Sequence, residues 1–562
     1  MDWTPSAVVR WLFDSRSGPA NRFLSRWIYL RALGAIYFSA FFSLVFQIRG
    51  LIGPQGILPA SEYLKSIAGQ AGYFRYWYVP SILWLSSGAH MLTGFCWVGM
   101  AAAVLLVFNI WPRGMLVVCF VCFLSFVSAA GDFSGYQSDG MLLEAGFLSL
   151  FLAPGGFRPG FGEPRPPVRA ALYLLLWEWF RIYFESGVAK IMGGDPEWRN
   201  FTAMDDYYQN GPLPTWIGWY VQHLPHWFHT GTAALTLALE LVLIWAAFLP
   251  RSVRIVLFFF VTPWQIGIIL TANYTFLNYL VLILAFLLLD DRFLAKLFPK
   301  GWKMPSVERA IVPAIRSGPP AGAPLSILVT PSSQSKDQSS AKTADPHGDL
   351  RPKIRSWLSS LRVAVVTVFL LLIFYATTAQ MVWMIVPGTP LPTSPVAMLE
   401  PFRIANRYGL FAVMTRGRYE IEFQGSNDGQ TWTAYLFRHK PQELDKAPRI
   451  YAPYQPRLDW NLWFASLGEW RDNPMVLRTE RRLLSNDSDV LTLFAANPFP
   501  NRPPRQVRAV LWQYWFTSMA EKRAHGLWWR RELLGLYAPA IQLDPDGRVG
   551  VTQWPEPLPS HE

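Results

Sequence analysis

The chain of 562 residues is 52% hydrophobic and only 16% charged, whereas soluble domains average about 45–50% apolar and about 25% charged. This excludes a purely soluble protein. Its net charge of +12 does not point to nucleic acid, because Lys and Arg are spread over the tail, the loops and a linker instead of forming a patch on one domain.

The N-terminal tail, 1–26, carries Arg10, Arg16, Arg22 and Arg26 but no early apolar core with a cleavage site, so no cleavable signal peptide is expected. A polytopic membrane domain is predicted over 27–299, with apolar segments at 27–48, 84–108, 113–130, 139–153, 170–189, 229–249, 254–271 and 275–291. A flexible cytoplasmic linker, 300–360, is rich in Pro, Ser, Ala and charge and cannot bury enough apolar surface to fold. A last transmembrane helix follows at 361–387. The total is about nine spans of a ~30 Å hydrocarbon core, with 139–153 short for a span.

Cys96, Cys119 and Cys122 all lie in these apolar runs. Cys119 and Cys122 form a C-x-x-C, but no electropositive neighbour is present to stabilise a thiolate, so they read as buried small residues. Basic residues mark alternate loops: Arg113, then Arg158, Arg165 and Arg169, then Arg251 and Arg254, then the linker. Loops 131–138 and 272–274 carry no Lys or Arg. The positive-inside rule puts those two loops, loop 190–228 and everything after residue 388 outside the cytoplasm.

The C-terminal region, 395–545, changes character. Arg418-Tyr-Glu-Ile-Glu-Phe-Gln-Gly alternates apolar and polar residues, and Thr431-Trp-Thr-Ala-Tyr-Leu-Phe follows the turn sequence Ser426-Asn-Asp-Gly-Gln. This predicts a hairpin. Arg505-Gln-Val-Arg-Ala-Val-Leu-Trp-Gln-Tyr-Trp-Phe reads as a further strand. The fold class expected is a multi-pass α-helical membrane bundle of about nine helices, followed by a small extracytoplasmic β-sandwich-like domain and a tail, 546–562.

Ionisable groups near membrane depth are costly and are functional candidates by default. Asp132, Asp139 and Glu144 lie in or just after loop 131–138, and Asp205 and Asp206 lie in loop 190–228. Glu178, Arg181 and Glu185, spaced three and four apart, share one helix face and predict intramembrane ion pairs. Lys190 ends the same segment; desolvated, it could act as a base with Glu144 or Asp139. His223, His226 and His229 recur every three residues, but Pro225 interrupts any helix that would align them as ligands. No metal and no cofactor are expected. The chain contains no phosphate-binding glycine loop, Gly-x-Ser-x-Gly elbow or His-Glu-x-x-His motif. Asn486-Asp-Ser and Asn200-Phe-Thr are acceptor sequences for N-glycosylation in a eukaryote.

Several ordered blocks carry a family likeness. They are Leu30-Arg-Ala-Leu-Gly-Ala-Ile-Tyr, Gly50-Leu-Ile-Gly-Pro-Gln-Gly-Ile-Leu-Pro-Ala, Tyr136-Gln-Ser-Asp-Gly-Met-Leu-Leu-Glu-Ala-Gly-Phe and Phe184-Glu-Ser-Gly-Val-Ala-Lys. Tyr408-Gly-Leu-Phe, Ala452-Pro-Tyr-Gln-Pro-Arg-Leu-Asp-Trp, Tyr514-Trp-Phe and Trp528-Trp-Arg-Arg follow in the C-terminal region. With these blocks the chain resembles the lipase maturation factor family. The resemblance implies a chaperone-like maturation factor for secreted proteins of the lipase type, and not an enzyme. It implies residence in the endoplasmic reticulum membrane in a eukaryote or the inner membrane in a bacterium, with membrane lipid and secreted clients as partners.

On that reading, the client-binding candidates are Asp132, Asp205, Asp206, Arg457, Asp459, Trp460 and Trp463, since Arg and Trp clusters favour interfaces. A second, distant likeness links Gly187-x-x-Lys190 and Trp198 to the vitamin K-dependent carboxylase family. It implies an alternative in which Lys190 is a catalytic base.

Overall fold

The computed structural model describes residues 4–299, 350–544 and 546–557. Positions 1–3 of the expected N-terminal tail, 300–349 of the expected linker and 558–562 of the expected C-terminal tail lie outside the described residues.

A short helix, α1 (Pro5–Phe13), capped by the Thr4 hydroxyl, precedes the bundle. The bundle is built from α2 (Phe23–Val45), α3 (Ala89–Val107), α4 (Pro112–Ala129), α5 (Gln137–Leu152), α6 (Arg169–Met192), α7 (His226–Leu241), α8 (Arg251–Thr271), α9 (Leu277–Ala285) and α10 (Leu350–Ile385). Among the described residues, six helices are long and apolar enough to cross a membrane, namely α2, α3, α4, α7 continued to Phe248, α8 and the Ser360–Ile385 part of α10. The expected nine therefore divide into six such spans and three enclosed helices.

The physical reason lies in the surroundings of α5, α6 and α9. The first has only 16 residues, 12 of them buried. Helix α6 is long enough but charged, and it sits at the centre against α5, α7, α9 and α10. The last is short, with seven of nine residues buried. Enclosed by protein, none of the three has to present a full apolar face to lipid. The last span, Ser360–Ile385, is the C-terminal part of a 36-residue helix that begins at Leu350.

Among the described residues the C-terminal domain holds one antiparallel sheet. Its strands are β1 (Arg418–Ser426), β2 (Thr433–Ala434), β3 (Gln506–Phe516), β4 (Trp529–Leu536), β5 (Ala540–Leu543) and β6 (Val549–Gln553). The order is β2-β1-β3-β5-β6, with β4 also paired to β3. The predicted hairpin is β1–β2, with Gln424 opposite Ala434. In its turn the Asp428 carboxylate accepts from the Gln430 and Thr431 N–H groups, and Gly429 takes φ +73°.

The expected sandwich is corrected to a single sheet covered by helices. Helix α11 (Arg457–Ala465) packs on β1 and α12 (Pro474–Leu484) packs on β3. Buried Met475, Val476, Thr479, Leu483 and Leu484 give α12 one core-facing stripe, so a helix takes the place of a second sheet. Strand β6 extends the domain into the stretch expected to be tail.

Candidate functional site

The candidate residues fall mostly on the seam where the C-terminal domain meets the bundle. Asp139 lies in the first turn of α5, where the helix N-terminus favours a carboxylate. Arg457 opens α11 and grips Asp139 bidentately, at 2.7 and 2.9 Å, with both side chains fully buried. The guanidinium also donates to the Phe133 carbonyl at 2.6 Å and lies 4.6 Å from the Phe126 ring centroid. The Arg457 N–H donates to Gln47, near the end of α2, at 2.8 Å. Trp460 stacks on Tyr136 at 5.4 Å, Asn461 donates to the Asp132 carbonyl, and the Trp463 indole donates to the Asn210 carbonyl.

A second cluster is built on α5 and α6. Glu144 pairs with Arg181 and accepts from the Asn406 N–H at 2.9 Å, the Asn406 amide at 3.0 Å and the Tyr408 hydroxyl at 2.9 Å. Arg181 donates to the Asn406 carbonyl at 2.6 Å and lies 3.7 Å from Glu185, which accepts from the Tyr408 N–H at 2.7 Å. One loop turn of the chain, 406–408, thus satisfies charges on two bundle helices. Buried charges are retained only when paired and hydrogen-bonded in this way. Glu178 is buried on the same helix, with no ion pair among the described residues.

A third contact is made by Lys190. Its ammonium donates to both Glu240 oxygens, at 3.0 and 2.9 Å, and to the Leu410 carbonyl at 3.0 Å. The three groups of the carboxylase-like alternative therefore have separate partners: Asp139 has Arg457, Glu144 has Arg181, and Lys190 has Glu240. The histidines are engaged singly: His223 with the Trp219 and Thr517 carbonyls, His226 with Asp205, and His229 with the Leu224 carbonyl.

The seven client-binding candidates do not form one surface. Asp132 and Asp206 are exposed and Asp205 is half-buried, while Arg457, Asp459, Trp460 and Trp463 are buried. Asp459 accepts the His439 and Lys440 N–H groups inside the C-terminal domain, and burial pushes its carboxyl above the usual range. Residues that sequence reasoning missed complete the seam. Gln47 and Asn273 are lone polar groups at the ends of apolar runs; Asn273 accepts from the Tyr451 and Ala452 N–H groups and donates to the Arg449 carbonyl at 2.8 Å. Their position, a single amide next to a long apolar run, is a readable signal.

The profile of the lipase maturation factor transmembrane domain matches residues 24–296, and that of the lipase maturation factor C-terminal domain matches 404–539. Lipase maturation factor 1 of Bos taurus is 31% identical over 558 residues, covering 95% of this chain and 92% of that protein. The chain belongs to the lipase maturation factor family. Lipase maturation factor 2 of Gallus gallus is 30% identical over 582 residues, covering 92% of this chain and 81% of that protein. The Homo sapiens lipase maturation factor 2 is 30% identical over 595 residues, covering 92% and 83%. No solved structure matches the chain significantly. The two family domains are the two bodies that Asp139, Glu144 and Glu185 join to Arg457, Asn406 and Tyr408.

Proposed function

We propose that this family member is a membrane-embedded maturation factor for secreted proteins, with lipases as its clients. The observation that carries the reading is likeness to lipase maturation factors along both domains, covering 92% of the Bos taurus protein. The C-terminal domain stands outside the cytoplasm on this reading, which the run of basic loops on the opposite side supports. The membrane is that of the endoplasmic reticulum in a eukaryote or the inner membrane in a bacterium. Helices α5, α6 and α9 lie within the membrane, enclosed by the six longer spans. Clients meet the exposed rim formed by loops 131–138 and 190–228, with Asp132, Asp205 and Asp206 on it. Buried Arg457, Trp460 and Trp463 serve by holding the C-terminal domain against the bundle, and Asp459 by bracing that domain from within.

The test is complementation. Cells lacking their own lipase maturation factor are supplied with a secreted lipase and this chain, and secreted lipase activity is measured per amount of lipase protein. Restoration of specific activity is expected. A well-expressed, membrane-inserted chain that leaves the lipase inactive would overturn the reading.

A further inference from the structure

Helices α6 and α7 are offset along their axes. Lys190, two residues from the end of α6, meets Glu240, which follows the first residue of α7 by 14 positions, about 21 Å of helix at roughly 1.5 Å per residue. Beyond the end of α6, the space beside α7 is therefore not filled by α6. A cavity of about 520 Å³ occupies it, walled by α6, α7, α8 and α9, by Trp198, Met204, Tyr207, Tyr208 and Val221 of loop 190–228, and by Leu410 and Phe411 from the segment leading to the sheet. Its volume is in the range of small-molecule sites, about 300–1,000 Å³.

The opening lies between two membrane spans. Helix α7 rests on α6 through its C-terminal end and its continuation to Phe248, and α8 packs on α9. The residues at the cavity that are exposed include Leu235 on α7 and Phe260, Pro263 and Gly267 on α8. A Cβ added at Gly267 would meet nothing within 4 Å. In a bilayer this mouth faces hydrocarbon, so what enters must come laterally from the membrane.

The polar groups at the cavity narrow the occupant. All three N–H bonds of Lys190 are used by Glu240 and the Leu410 carbonyl, so no spare cation is left for an anionic headgroup. Gln265 donates to the Tyr183 hydroxyl at 2.6 Å, but its Oε1 has no hydrogen-bond partner. Asn278, also at the cavity, has no partner for Nδ2. Both side chains are 5% exposed. A buried acceptor and a buried donor left unmade each cost about 1–3 kcal/mol, and an uncharged head that both donates and accepts would satisfy them.

We propose that this cavity binds a single-chain membrane lipid with an uncharged, hydrogen-bonding head, of the monoacylglycerol type, entering between α7 and α8. The site shares loop 190–228 with the proposed client rim, through Trp198, Met204, Tyr207, Tyr208 and Val221, but its test reads lipid labelling and so fails or succeeds separately from lipase complementation.

The experiment uses the full chain in phosphatidylcholine nanodiscs with a monoacylglycerol carrying a diazirine in its acyl chain. Photolabelling should map to α7 and α8, saturate under unlabelled monoacylglycerol, and fall at least fivefold in Gly267→Trp. Leu235→Trp blocks the mouth from the other helix and serves if the first variant does not fold. A lysophosphatidic acid probe with the same chain should label at least fivefold less. Labelling that does not saturate, or that persists in a folded blocked variant, means surface lipid only and overturns the site. Equal labelling by the lysophosphatidic acid probe overturns the uncharged head.

Discussion

The first three spans and the last three are similarly apolar helices in different surroundings. Within their most apolar windows, 56%, 44% and 61% of α2, α3 and α4 is buried in protein, against 33%, 22% and 22% for α7, α8 and α10. The first group packs on itself and on α5 and meets the C-terminal domain through Gln47; in the second, α7 and α10 flank the charged α6, and more of each helix is left exposed. Apolarity selects the helices that cross but does not say what they touch. Lipid tails are as apolar as Leu, so burial among helices gains little from the hydrophobic effect. The specific contacts that hold this molecule together are concentrated where the buried charges meet.

The sharpest way to break that contrast is at Arg457. Removing one partner of a buried pair costs about 3–5 kcal/mol because it strands the other charge. Arg457→Ala should lower the thermal midpoint in nanodiscs by a corresponding margin and expose the C-terminal domain to protease. The double variant with Asp139→Ala should lose less than the sum of the single losses, as expected for coupled neighbours. An unchanged midpoint in Arg457→Ala would remove the seam from the account of stability.

A second, smaller effect separates the C-terminal domain from the bundle by pH. Burial of Glu480 on α12 pushes its carboxyl well above its ordinary value of 4.5, with no ion pair among the described residues. Above pH 4.5 the unfolded chain releases this proton first, so stability falls as pH rises through the window up to the folded value. Burial lowers the pKa of His439 below 6.5, so the unfolded chain binds its proton first and stability falls as pH drops below 6.5. Midpoints measured across pH should show both limbs. Glu480→Gln should raise the midpoint at pH 8 with little change at pH 4.5, and His439→Gln should flatten the acid limb.

The smallest effect is expected on the lipid-facing helices. Val256 on α8 and Val368 on α10 are 55% and 64% exposed. Their substitution by Ala should change stability by no more than about 0.5 kcal/mol. A loss comparable with that of Arg457→Ala would show that these faces are packed by something other than lipid.

Much of this was legible in the residues. Alternation in Arg418-Tyr-Glu-Ile-Glu-Phe and the Asn427-Asp-Gly turn identified β1 and its hairpin, because strand period and turn chemistry are local. The three-and-four spacing of Glu178, Arg181 and Glu185 identified the charged helix. It could not show that Arg181 takes Glu144 from α5 as its shorter partner while Glu178 makes no ion pair among the described residues. Arg457, Trp460 and Trp463 read as surface residues because Arg and Trp mark interfaces. The interface is internal, and its other side, Asp139 with Tyr136 and Asn210, is far away in the chain. The apolar stripe of α12, Met475, Val476, Thr479, Leu483 and Leu484, is the signal that a helix and not a second sheet covers β3.

The distance along the chain between Asp139 and Arg457, 318 residues, is also a time. At about 5–20 residues per second of synthesis, Asp139 is made roughly 16–64 s before the arginine that neutralises it. During that interval the half-built bundle holds a carboxylate without its cation, and Glu144 and Glu185 still await Asn406 and Tyr408. The bundle therefore reaches its final state only when the last quarter of the polypeptide arrives, and a chain cut short before residue 457 is marked as unfinished by its own uncompensated charge.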